Sequence, residues 1–175
     1  VTGETTALVD AGANFDVVAR LDEQVDALDR VYITHTHPDH VDNVPAVRTA
    51  FDVETWGYDP GTEHVDNPIA DGETVRIGDH GYDALHTPGH KPDHLCLVSA
   101  DAGVCFAGDL VFANGGFGRT DLPGGDRGAL VPEQVHDGYV ARDGHRPGTS
   151  LLCVENTHNS KGGIAIPVED IAAAA

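Results

Sequence analysis

Thr34-His35-Thr36-His37-Pro38-Asp39-His40 places four metal-ligand side chains, His35, His37, Asp39 and His40, within six residues, directly after the apolar run Val31-Tyr32-Ile33. Three imidazoles and a carboxylate cannot all be buried at a strand end without partners. They suit two neighbouring divalent cations. Histidines two apart in extended backbone point the same way, so His35 and His37 can share one ion. Asp39 and His40 follow at a turn and can swing toward a second. The competing reading is a His-rich loop with no ligand role.

Outward from this stretch, the apolar spacing sets the element order. Residues 5–10 read as a strand ended by Ala11-Gly12, and residues 16–28 place Val17, Val18, Leu21, Val25 and Leu28 at helical intervals. Residues 31–34 are a short buried strand, 44–51 a second amphipathic helix and 53–58 another strand. Strands are also expected over 74–77, 82–86, 95–99 and 104–107, separated by Gly, Asp and Pro turns. Strand–helix alternation followed by a run of strands predicts an α/β layered sandwich with mixed sheets. Beyond about residue 128 the texture changes. A helix could open at 132–135, strands fit 151–155 and 164–167, and a last helix fits 168–175.

Two later signals carry related chemistry. Thr87-Pro88-Gly89-His90 follows a strand, and Gly89 frees the backbone to aim His90 away from the strand end. Gly108-Asp109 follows the apolar run 104–107, where a carboxylate is costly unless paired and a cation pair would satisfy both its oxygens. Taken singly each is a turn more often than a ligand. In this order, behind the first cluster, they are specific.

Thr-His-Thr-His-Pro-Asp-His, then Thr-Pro-Gly-His, then Ala-Gly-Asp resembles the metallo-β-lactamase-fold hydrolases, and Ala7-Leu8-Val9-Asp10-Ala11-Gly12 matches that family's early strand and turn. Gly118-Arg119-Thr120-Asp121-Leu122-Pro123-Gly124-Gly125-Asp126 is similar to its small glyoxalase-II-like members. The resemblance covers residues 1 to about 128. It implies an αβ/βα four-layer sandwich, truncated at its N-terminus and altered at its C-terminus, with a dinuclear site. His35, His37 and His90 would hold the first ion, Asp39 and His40 the second, and Asp109 would bridge them. A hydroxide shared by two cations would attack a thiolester or related acyl ester, with Asp39 accepting a proton. Zinc is expected, with iron or manganese also suited to this donor set. His40 and Asp109 argue against a true β-lactamase. His64, His80, His86 and His94 have no place in the pattern, and His94 is the one most suited to support the ligands.

The family expects one more histidine after a late strand, and His158 is the candidate, ahead of His136 and His145. Yet His145-Arg146-Pro147-Gly148-Thr149 and Glu155-Asn156-Thr157-His158-Asn159 resemble a stretch of threonine aldolase, a pyridoxal-phosphate enzyme. The chain is therefore expected to comprise a metal-binding domain over 1–128 and a segment over 129–175 that resembles an aldolase fragment and could complete the same domain. Only Lys91 and Lys161 are lysines, and neither sits where a cofactor aldimine would form, so no pyridoxal phosphate is expected. Alternatives are a mononuclear-iron persulfide dioxygenase, whose family carries a similar Gly-Arg-Thr-Asp stretch, and an inactive metal-binding remnant.

Composition bounds the setting. A net charge of −19 over 175 residues, with 29 acidic against 10 basic side chains, resembles proteins of salt-loving microbes, where salt screens self-repulsion. No basic stripe exists to neutralise phosphates, so nucleic acid is not an expected partner. No apolar run approaches a membrane span or a signal peptide. Cys96, Cys105 and Cys153 are odd in number, lie in apolar contexts and read as core residues of a cytoplasmic protein. A small-molecule substrate is expected, and association into a homo-oligomer through strand edges is possible.

Overall fold

The computed structural model describes residues 1–59, 61–112, 118–120 and 125. The chain divides into two compact units, one formed by 1–86 with 93–108 and the other by 87–92 with 109–175. Among the described residues, every helix and strand belongs to the first unit: β1 (Ala7–Val9), α1 (Val17–Asp22), β2 (Arg30–Tyr32), α2 (Pro38–Val41), α3 (Val44–Phe51), β3 (Thr55–Gly57), β4 (Asn67–Pro68), β5 (Thr74–Ile77), β6 (His80–His86), β7 (Leu95–Ser99) and β8 (Val104–Phe106).

The strands form two four-stranded sheets, ordered β1-β2-β3-β4 and β5-β6-β7-β8. The first is parallel throughout, with Leu8 opposite Val31 and Tyr32 opposite Trp56. The second is antiparallel throughout, with Leu85 opposite Cys96 and Val98 opposite Cys105. The expected mixing of strand senses within a sheet is therefore corrected for the described strands. Helical crossovers return β2 and β3 parallel to their predecessors, whereas the short turns among the later strands can only reverse the chain.

Strand alternation divides the apolar side chains between two cores. Val31 and Ile33 of the β2 segment face Val17, Val41, Val44 and Val47 of the helices. Tyr32 between them packs with Ile77, Tyr82, Leu95 and Leu97 of the other sheet. Its hydroxyl donates to Arg76 O at 2.9 Å, which satisfies the one polar atom that this ring brings into the interior. Helices, parallel sheet and antiparallel sheet are thus stacked within the first unit.

Several expectations change in extent: the strand expected over 5–10 is confined to Ala7–Val9, and those expected over 31–34 and 82–86 become Arg30–Tyr32 and His80–His86. The helix expected over 16–28 ends at Asp22, although Leu28 is buried as its spacing required. Past Asp22 the chain leaves the helix in a turn, with the N–H groups of Gln24 and Val25 both donating to Leu21 O at 2.8 and 2.9 Å. The strand expected from 53 starts at Thr55. The elements expected over 132–135, 151–155, 164–167 and 168–175, and the whole segment 129–175, lie outside the described residues.

Candidate metal centre

The first unit builds a histidine cluster at the end of β2. Pro38 opens α2 immediately after His37, and its fixed φ pre-forms the first helical turn, so the chain leaves the strand direction between the second and third histidines. His40 O closes this turn by accepting from the N–H groups of Ala11 and Gly12 at 2.9 and 3.0 Å. His35 is fully buried, His37 and His40 are half-buried, and Asp39 is exposed. The His35 ring lies 4.0 Å from that of His40 and 4.8 Å from that of His37, centroid to centroid.

The hydrogen bonds fix which ring nitrogens carry protons. Asp10 takes a left-handed backbone (φ 56°), which Asp tolerates, and projects its carboxylate across the end of β2. Its Oδ1 accepts from Thr34 N at 2.8 Å, and its Oδ2 accepts from Thr34 Oγ1 at 2.7 Å and His40 Nδ1 at 2.8 Å. Since the Thr34 hydroxyl proton goes to Asp10, its oxygen accepts from His35 Nδ1 at 3.2 Å. Both His35 and His40 are thereby left with Nε2 as the lone-pair nitrogen, the tautomer a metal ligand needs. His35 Nε2 meets His37 Nδ1 at 3.1 Å. The donor set fits a divalent cation.

Asp93 secures the backbone between the first two histidines. Its Oδ2 accepts from Thr36 N at 3.0 Å and Thr36 Oγ1 at 2.7 Å, and the residue is buried. His94 is fully buried with its ring 5.1 Å from that of His35, supporting it from behind. Gly108, at φ 49°, leaves room for this ring: a Cβ there would lie 2.7 Å from His94 Nε2 and 2.9 Å from Thr34 Cβ. Only glycine satisfies both the dihedral and the approach.

In the second unit, Gly89 adopts φ 146°, which bears out the backbone freedom expected of it beside His90. His90 is buried, and its Nδ1 donates to Arg119 O at 2.6 Å. Nε2 then carries the lone pair, and it faces Asp109 Oδ2 at 3.4 Å. Two acceptors so placed repel unless a proton or a cation lies with them, so this pair also fits a metal. Gly118 donates its N–H to Asp109 O at 2.7 Å, and a Cβ on it would lie 2.7 Å from His90 Nδ1.

Each unit thus gathers its own share of the expected ligands: His35, His37 and His40 with Asp39 at the rim in the first, His90 with Asp109 in the second. His158, His136 and His145 lie outside the described residues. His64, His80 and His86 stand apart from the cluster; His64 lies 3.6 Å from Glu63, and His86 stacks on Tyr58 at 3.7 Å. Asp10 and Asp93 are the residues bracing the cluster that motif reading missed. Asp10 was visible as the carboxylate ending the first strand, but its link to His40 needs the parallel pairing of β1 with β2. Cys96 is buried as expected, Cys105 is exposed, which corrects the core assignment, and Cys153 lies outside the described residues. Cys105 surfaces because β8 is a three-residue strand at one end of the described sheet order.

Comparison with known proteins agrees with this architecture. The model of the metallo-beta-lactamase superfamily matches residues 1–151. Hydroxyacylglutathione hydrolase GloC of Haemophilus influenzae is 29% identical over 177 residues, covering 85% of this chain and 83% of that protein. A hydroxyacylglutathione hydrolase of Cereibacter sphaeroides is 36% identical over 117 residues, covering 65% of this chain and 46% of that protein. The crystal structure of TTHA1623 in a di-iron-bound form superposes with a TM-score of 0.60 at 28% identity, covering 71% of each chain. The chain belongs to the metallo-beta-lactamase superfamily and has its fold. It spans less than half the length of the Cereibacter relative. The family match continues past residue 128 to 151, and the resemblance of the tail to threonine aldolase is unsupported by these comparisons.

Proposed function

We propose that the chain is a metal-dependent hydrolase of thiolesters, of the hydroxyacylglutathione type. The observation that carries the reading is the Asp10–Thr34–His35 and Asp10–His40 hydrogen-bond set, which makes Nε2 the lone-pair nitrogen of both imidazoles, the tautomer that coordinates a cation. The Haemophilus relative, named as such a hydrolase and matched over 85% of this chain, supports the substrate class. In this reading His35, His37 and His90 hold one ion, Asp39 and His40 a second, and Asp109 both. This ligand assignment rests on the order of motifs along the sequence, and His158 is the further candidate.

Bound ions would supply Lewis-acid polarisation of the substrate carbonyl and a more acidic water. The protein's own residues do the rest. Asp10 holds His40 in its coordinating tautomer, Asp93 fixes the backbone between His35 and His37, and Asp39, at the exposed rim, accepts the proton of the attacking water. A cavity of ≈ 780 Å³ borders Asp39 and His40 and is lined by Leu8, Val17, Leu21 and Leu28, apolar surface suited to an acyl group. Zinc is the proposed ion, and iron is its competitor, since TTHA1623 was solved with two irons.

Metal analysis combined with hydrolysis of S-lactoylglutathione tests the proposal. Two ions per chain and metal-dependent thiol release are expected. One iron per chain with oxygen uptake would replace it with a dioxygenase. Among the described residues no helix is long and apolar enough to cross a membrane. A cytoplasmic, salt-rich setting belongs to the same proposal, supported by the acid excess of the sequence.

A further inference from the structure

Two thiols lie side by side on the antiparallel sheet. Val98 on β7 pairs with Cys105 on β8, and Cys96 is two residues from Val98, so both cysteines project from the same face as diagonal neighbours. Leu95 and Leu97 point to the opposite face, into the core between the sheets. The two thiols differ in setting. Cys105 is exposed, whereas Cys96 is buried, with its sulfur donating to Ala107 O at 3.6 Å. When the Cys96 proton turns from Ala107 O to the Cys105 sulfur, that hydrogen bond holds the Cys105 thiol below its usual range, against the opposing effect of desolvation. An accessible thiol that ionises easily, beside a second thiol that can resolve it, is the arrangement of an oxidisable pair.

We propose that Cys96 and Cys105 form a reversible disulfide by exchange with a low-molecular-weight disulfide. Cys105 thiolate attacks one sulfur of that disulfide, its S–S bond breaks, and one small thiolate leaves and takes up a proton. Cys96 then gives up its proton and attacks the Cys105 sulfur, and the second small thiolate leaves. Two electrons pass from the protein thiols to the small disulfide, which departs as two thiols. Diagonal neighbours, at roughly 7–8 Å, stand beyond the usual Cα separation of a disulfide, so the backbone must move and draw the strands together. β8, three residues long, can yield. The resulting strain makes the bond easily reduced, so it serves as a reversible modification and not as a structural staple.

The test treats the full chain with oxidised glutathione, quenches in acid, cleaves before Asp101 to separate the two cysteines, and maps the unreduced peptides by mass. The native chain should give the Cys96 and Cys105 peptides joined, and mild dithiothreitol should part them. C96S and C96A, used together because the site is buried, should stop with glutathione on Cys105. C105S should leave Cys96 unmodified. The proposal is overturned if the native chain stops at glutathionylated Cys105, if both thiols stay unreacted, or if either pairs instead with Cys153.

Discussion

At the scale of single residues, the candidate centre depends on side chains that would touch no substrate. Asp10 is the clearest case, because one carboxylate oxygen accepts from both Thr34 Oγ1 and His40 Nδ1. Replacing it by alanine should free both His40 and Thr34 to rotate and lower metal affinity by about 10- to 100-fold. Competition against a chelator of known affinity measures this; unchanged affinity would show that Asp10 has no part in holding the ligands. Gly108 supplies a second prediction with an internal control. Gly103 and Gly108 both have left-handed backbones, at φ 65° and 49°, but a Cβ at Gly103 meets nothing within 4 Å. Gly103→Ala should therefore cost only the backbone penalty, roughly 1–2 kcal/mol. Gly108→Ala should cost clearly more, since its methyl would press on His94 and Thr34. Thermal unfolding of the two variants separates strain from contact, and equal losses would remove the packing argument.

At the scale of elements, the junction of α3 and β3 is held by one shared carboxylate oxygen. Arg48 Nη2 reaches Asp66 Oδ2 at 2.9 Å, and Thr55 donates its N–H and hydroxyl to the same oxygen at 2.9 and 3.0 Å. Burial alone would raise the Asp66 carboxyl, but the Thr55 hydrogen bonds and the Arg48 charge together lower it below the ordinary 3.8. A lowered carboxylate stabilises the fold fully above that ordinary value, and the contribution is lost as pH falls through the depressed one. Asp66→Asn should therefore have a lower Tm than the native chain at neutral pH, with the gap closing in acid. A gap that stayed constant with pH would refute the linkage. The element scale is also where the sequence was most legible. The run 31–33 and the ligands behind it, the spacing of Val44, Val47 and Phe51, and the alternation Thr74-Val75-Arg76-Ile77 each declared a local period that burial preserved. What stayed hidden was set by pairing across the chain. The helix end at Asp22, the uniform sense of each sheet, the exposure of Cys105 and the Asp93–Thr36 clasp, 57 positions apart, have no local signature.

At the scale of the whole molecule, 29 acidic against 10 basic side chains leave the folded chain repelling itself. Raising salt shortens the Debye length from about 10 Å at 0.1 M to about 3 Å at 1 M. Tm should rise by at least about 3 °C between 0.1 and 2 M KCl, equivalent to roughly 1 kcal/mol for a chain of this size. A flat profile would contradict the inference from charge. The central claim joins superfamily membership to the histidine cluster and to thiolester chemistry, and one measurement addresses it most directly. S-lactoylglutathione is offered to the full chain after zinc loading, after chelation, and as the zinc-loaded H35A variant, with thiol release followed over time. Release by the zinc-loaded chain, loss on chelation, recovery on adding metal back, and a rate at least about 100-fold lower for H35A are expected. Release at background by a chain shown to carry its metal would contradict that claim.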